Sequence, residues 1–140
     1  MKLSARNQLR GTVETVTEGA VNGVVALKVG EHTVTADITM EAIEDLGLEA
    51  GAEATAVVKA TSVMLAAGSE RIARLSARNQ LPGTVAKVVR GAVNGHVTLD
   101  LAGGGSLTAS VTNEAIEELG LAQGSPAVGI VKATDVMLAV

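Results

Sequence analysis

Alternation of apolar and polar residues marks most of this chain as short strands. In Leu9–Val16 (LRGTVETV) the alternation predicts one strand, and GAVNG at 19–23 supplies an Asn-Gly turn after it. Val24–Val29 and Thr33–Ile38 follow as two further strands separated by Gly-Glu-His. The period then changes. In MEAIEDL, Ile43 and Leu46 share a core-facing side at spacing i, i+3, Thr39 stands where an N-cap belongs, and Gly47 ends the helix. Glu41 falls near the positive N-terminus of that helix. A glycine-bounded turn leads to Glu53–Lys59, and KATSVMLA (59–66) makes a last extended segment. Three strands, a helix and two strands is the element order of a small OB-like barrel.

The same order is then written again. LSARNQL at 3–9 returns at 75–81, and GAVNG at 19–23 returns at 91–95, both 72 residues on. EAIEDLGL (41–48) becomes EAIEELGL (114–121), and KATSVMLA becomes KATDVMLA (132–139), now 73 residues on. One residue has therefore been added between Gly95 and Glu114, most simply in the run Gly103–Gly105. The fold expected is all-β with short helices: two tandem OB-like barrels, residues 1–67 and 74–140, joined by a linker or short helical connection at 68–73. Units of about 65 residues bury little surface and are marginal alone, so the repeats are expected to pack together or to oligomerise.

Composition narrows the chemistry. Hydrophobic residues make up 47% of the 140, but Phe, Trp, Tyr and Cys are absent, so the core must be Val, Leu, Ile, Ala and Met. Met64 and Met137 are most simply core filler. Without cysteine there is no disulfide scaffold and no thiolate metal site, which suits a reducing, cytoplasmic compartment. The start MKLSARNQ lacks the apolar stretch of a signal peptide, and Lys59 and Lys132 interrupt the best candidates for a membrane span. A net charge of −4 and the lack of aromatics argue against nucleic-acid binding, which needs a basic footprint or a stacking platform.

Catalysis finds little support either. His32 and His96 occupy unrelated places in the two repeats, and neither a nucleophilic cysteine nor a phosphate-binding GxxxxGK[ST] loop is present. Glu41, Glu44 and Asp45, with Glu114, Glu117 and Glu118, are expected as solvated helix surface. No enzyme activity and no cofactor are expected.

The basic residues say more. Most have diverged between repeats: Lys28 is matched by Asp100, Arg90 by Glu18, Lys87 by Thr15 and Arg10 by Pro82. Only Lys2/Arg74, Arg6/Arg78 and Lys59/Lys132 keep a cation in both, and the last two lie inside the repeated strings SARN and KAT. Those strings offer a guanidinium, an ammonium, hydroxyls, an amide and backbone N–H groups, nearly all donors. A donor-rich, partly desolvated site with one or two cations suits a small tetrahedral oxyanion. The plainer alternative is that Arg6 and Lys59 pair with surface carboxylates, or that a recent duplication has not yet diverged there.

SARNQLxGTV, GAVNG, the Thr-x-Glu-Ala helix ending in LGL, and KAT-x-VML together resemble the molybdate-binding Mop domains, or molbindins, over essentially the whole chain, twice. The resemblance implies a homotrimer of two-domain, cytoplasmic chains that stores molybdate or tungstate between subdomains. One class of site in such proteins takes SARN from one subdomain and KAT from a neighbour. Carried over, that means Ser4 and Arg6 with Lys59, Ala60, Thr61 and Ser62, and the repeated set Ser76 and Arg78 with Lys132, Ala133, Thr134 and Asp135. A second class, near a threefold axis, falls on the GAVNG turns through Val21, Asn22, Val93 and Asn94, although an Asn-Gly turn is equally well structural. Ser62 becomes Asp135, and a carboxylate facing an oxyanion repels it, so either the two copies of the site differ or that side chain faces out. Leu3 and Leu9 are expected to anchor the heptad to the barrel. Two other readings stay open: a molybdate-sensing effector module of a regulator or transporter ATPase, and a ligand-free OB-like interaction module. The first needs sequence beyond the repeats, which run from Lys2 to Val140.

Overall fold

Reciprocal strand exchange between the repeats organises the molecule. In the computed structural model, which describes residues 1–140, the first repeat forms β1 (Asn7–Glu18), β2 (Asn22–Val29), β3 (His32–Thr39), α1 (Met40–Asp45), β4 (Glu53–Val58) and β5 (Met64–Ala67). The second forms β6 (Asn79–Arg90), β7 (Asn94–Leu101), β8 (Ser106–Thr112), α2 (Asn113–Glu118), β9 (Pro126–Val131) and β10 (Met137–Ala139). Short 3-10 turns at Ala60–Ser62 and Ala133–Asp135 precede β5 and β10. Two five-stranded antiparallel sheets result, in the orders β10-β4-β1-β2-β3 and β5-β9-β6-β7-β8. β5 pairs with β9 (Met64↔Ile130 to Ala67↔Ala127), while β10 pairs with β4 (Met137↔Val57 to Ala139↔Thr55). Each repeat thus supplies the fifth strand of the other's OB-like sheet.

The exchange makes one core out of two small units. A single cluster of 24 buried residues draws on both repeats, from Leu9 and Val13 through Leu99 and Leu107 to Val136. Aliphatic side chains fill it alone, with Ile43 and Ile116 contributed by the helices. Leu46 packs against the cluster from its edge.

Two buried amides hold the halves in register. Asn79 is 1% exposed; its Oδ1 accepts from Thr35 N–H at 2.7 Å and its Nδ2 donates to Thr35 O at 2.8 Å. Asn7, 3% exposed, makes the same pair of bonds to Thr108, at 2.7 and 2.8 Å. The amide of SARN therefore reads the outer strand of the opposite repeat as one more β-strand would. His32 Nε2 adds another cross-repeat bond, donating to Ala102 O at 2.6 Å.

The helices follow the sequence pattern. Thr39 Oγ1 accepts from Ala42 N–H and Thr112 Oγ1 from Ala115 N–H, each at 3.1 Å, and Gly47 and Gly120 end the helices at φ 62°. The extra residue of the second repeat lies where the glycine run suggested: Lys28 pairs with Thr33, but its counterpart Asp100 pairs with Ser106. The connection at 68–78 contains no helix and no strand. Gln80 latches it, accepting from Ile72 N–H at 2.6 Å and donating to Ile72 O at 3.2 Å.

The Asn-Gly pairs differ from expectation. Asn22-Gly23 and Asn94-Gly95 open β2 and β7 instead of forming the turns, and none of the four takes a positive φ. Their glycines are there for packing. A Cβ on Gly23 would stand 2.5 Å from Ile43 Cδ1, and one on Gly95 2.7 Å from Ile116 Cδ1 and 2.9 Å from the Val89 carbonyl oxygen. Gly95→Ala is accordingly expected to destabilise the fold by about 1–3 kcal/mol through overpacking, measurable as a lower urea midpoint at unchanged m-value.

Candidate functional site

Antiparallel pairing builds the site. Asn7, the first residue of β1, lies opposite Val58, the last of β4, so the residues before Asn7 run alongside those after Val58. Ser4 and Arg6 are thereby brought to Lys59, Ala60 and Thr61. Asn79↔Val131 does the same in the second repeat for Ser76, Arg78, Lys132, Ala133 and Thr134. Each set lines an open cavity, of about 590 Å³ in the first repeat and about 330 Å³ in the second. No carboxylate lines either one.

The groups are set up to donate. Each 3-10 turn closes with bonds from Ser62 N–H to Lys59 O and from Asp135 N–H to Lys132 O, both 2.9 Å. The turn's own bonds begin there, so the preceding N–H groups, of Ala60 and Thr61 or Ala133 and Thr134, take no acceptor within it. Arg6 is steadied by Nε donating to Ser4 O at 3.0 Å. The chain has three ion pairs, Arg10–Glu53, Arg90–Glu117 and Lys132–Asp135, and none involves Arg6, Lys59 or Arg78. The plainer alternative of surface ion pairing fails for those three cations.

Other expected site residues fall elsewhere. Ser62 and Asp135 do not line the cavities. Asp135 reaches back to Lys132, Oδ2 to Nζ 3.9 Å. Val21, Asn22, Val93 and Asn94 line neither cavity; Val21 and Val93 are 74% and 71% exposed. The Val21 and Val93 carbonyls accept from the first helical N–H groups, of Met40 and Asn113, at 2.8 Å, and Asn22 Nδ2 donates to Asp37 Oδ1 at 3.0 Å. Within the chain those turns have structural work.

Two expectations, on the methionines and on Leu3, need correction. Within one chain the SARN and KAT strings that meet belong to the same repeat, because β1 and β4, or β6 and β9, are direct neighbours. The opposite repeat contributes other wall residues: His96, Ser110 and Met137–Ala139 to the first cavity, Met64 to the second. Met64 and Met137 are not core filler, since they lie half-exposed on the exchanged strands. Leu9 anchors the heptad as expected, but Leu3 is 47% exposed on the rim of the first cavity. No pattern in the sequence pointed to His96 or Ser110, which arrive through tertiary pairing.

Comparison with known proteins places the chain. A 46% identity over 140 residues relates it to the molybdenum-pterin-binding protein MopA of Rhodobacter capsulatus, covering 99% of this chain and 52% of that protein. The molybdenum transport protein ModE of Herbaspirillum seropedicae is 43% identical over 141 residues, again 52% of its length. The chain thus spans about half the length of these curated relatives. Molybdenum-pterin-binding protein 3 of Clostridium pasteurianum matches over its whole length, 68 residues at 48% identity. A crystal structure of the cytoplasmic molybdate-binding protein ModG with molybdate bound superposes with a TM-score of 0.95 at 48% identity, over 100% of this chain and 99% of that one. The family model described as TOBE domain matches residues 3–65 and 75–138, so the chain belongs to the TOBE (Mop) domain family and carries its domain twice.

Proposed function

We propose that this chain binds molybdate, and the closely similar tungstate, without turning it over. Each SARN/KAT cavity takes one tetrahedral oxyanion: Ser4, Arg6, Lys59, Ala60 and Thr61 in the first repeat, Ser76, Arg78, Lys132, Ala133 and Thr134 in the second. One observation carries the reading: Arg6 and Lys59, neither engaged by a carboxylate, line one cavity together. The likeness to molybdate-bound ModG over the whole chain supports the choice of anion. Charge-assisted hydrogen bonds contribute roughly 1.5–3 kcal/mol each, so a handful supplies the about 8.2 kcal/mol of micromolar affinity after ordering costs.

The proposal extends to a homotrimer serving cytoplasmic storage and homeostasis. Leu3, Met64, Leu75 and Met137 leave exposed apolar surface around the two cavities, and Val21 and Val93 at the turns, which assembly covers. Assembly at the turns is also where Asn22 and Asn94 gain access to a further ligand. No helix is long and apolar enough to cross a membrane. Calorimetric titration of ligand-free protein tests the binding: molybdate and tungstate are expected to give heat and several sites per trimer, with the smaller sulfate much weaker. No response to millimolar molybdate sinks the reading, and a monomer in native mass measurement at micromolar concentration removes the trimer.

A second reading, that the tandem unit is the ligand-sensing portion of a larger protein, is favoured by relatives of about twice the length. The size of the native protein in cell extract distinguishes the two.

A further inference from the structure

The two cavities are alike in their donors and unlike in what surrounds them. Lys59 is followed by Ser62 and pairs with no carboxylate, whereas Lys132 shares its charge with Asp135, Oδ2 3.9 Å from Nζ. A second difference comes from the opposite repeat. The cross-strand pair His96↔Ser110 stands on the wall of the first cavity. In the other repeat the equivalent pair is Val24↔Asp37, so a carboxylate occupies the place of a hydroxyl. Asn22 Nδ2 binds Asp37 at 3.0 Å, which satisfies a lone pair but leaves the negative charge. In the first site hydroxyls share the wall with two cations; in the second, Lys132 is already paired with Asp135, and the register equivalent of Ser110 is Asp37.

On the oxyanion reading above, we propose that the chain holds a graded pair of sites. The first-repeat site is tight, and the second-repeat site is weak because Asp135 offsets the charge of Lys132. The same ligand then fills the two in sequence, which widens the concentration range over which the protein takes up and releases anion. A dianion feels a carboxylate a few ångströms away strongly at low ionic strength and less as salt screens it. The difference in affinity is accordingly expected to shrink with salt.

Molybdate titration of the wild type, Asp135→Ser and Ser62→Asp, each at low and at high ionic strength, tests this. Both substitutions install the residue that the other repeat already carries at that place, so folding is preserved. The wild type is expected to show two classes of site. Asp135→Ser tightens the weaker class about tenfold, Ser62→Asp weakens the tighter class by a similar factor, and both effects fall in high salt. In the wild type Lys59→Ala removes the tight class and Lys132→Ala the weak one; in the double exchange Ser62→Asp/Asp135→Ser this assignment reverses. A single class in the wild type, or dissociation constants that both exchanges leave within twofold, overturns the graded pair while leaving oxyanion binding intact. No heat in the wild type at all instead refutes the binding reading beneath it.

Discussion

Molybdate binding in the SARN/KAT cavities is expected to fall below detection at micromolar ligand when Lys59→Ala and Lys132→Ala are combined. Each ammonium lies on the wall of its own cavity, and neither side chain is buried in the core. Losing one charge-assisted bond of roughly 1.5–3 kcal/mol lowers affinity about 10- to 150-fold. Each single mutant should empty one class of site and spare the other. Thermal unfolding of the ligand-free variants should move by no more than a few degrees, since exposed substitutions away from packed features usually cost within about 0.5 kcal/mol. Calorimetry of the three variants checks the prediction, and a double mutant that still binds with wild-type affinity refutes it. Arg6→Ala adds a test of how the cavities are assembled. Because Arg6 and Lys59 share a cavity within the chain, it should empty the same class as Lys59→Ala. Loss from the other class means that working sites join strings from different chains.

Asn79→Ala is expected to be among the most damaging single changes in this molecule. The side chain is 1% exposed and satisfies both the N–H and the C=O of Thr35 in the opposite repeat. Truncation orphans two backbone groups at once, and each unsatisfied buried group costs about 1–3 kcal/mol. A loss of about 3 kcal/mol lowers the melting temperature by roughly 6–12 °C for a chain of this size. Asn7→Ala removes the same two bonds to Thr108 in a less buried setting, so water can partly replace them and the loss should be smaller. Asn79→Asp keeps the acceptor and loses the donor, and it should fall between. Differential scanning calorimetry gives the ordering. If Asn79→Ala melts within about 2 °C of the wild type, the amide is not a clamp between the repeats.

These amides also explain why a polar heptad is kept twice. In LSARNQL the serine and arginine face a cavity, the asparagine turns inward to the other repeat, and Leu9 and Leu81 enter the core. One string serves a site and a fold together. Spacing separated none of these roles, because a strand entering a sheet sends successive side chains to opposite faces and the sequence does not say what lies beyond either face.

Local rules made much of the chain legible. Alternation gave the strands, Thr39 and Thr112 gave the helix starts, and Gly47 and Gly120 the ends, because these depend on residues within a few positions of one another. The duplication, the added residue in the β7–β8 loop, and the cations kept in SARN and KAT were equally open to inspection. What the sequence could not decide was which residues meet across the repeats. The exchange of β5 and β10 is invisible to any periodicity, since a last strand alternates in the same way whichever sheet receives it. That choice moved Met64 and Met137 from expected core to cavity wall and brought His96 and Ser110 to the first site. The sequence by itself determined the elements and the donors. Only the tertiary pairing decided which walls the donors share, because that depends on how two small, aliphatic units bury their remaining edges in each other.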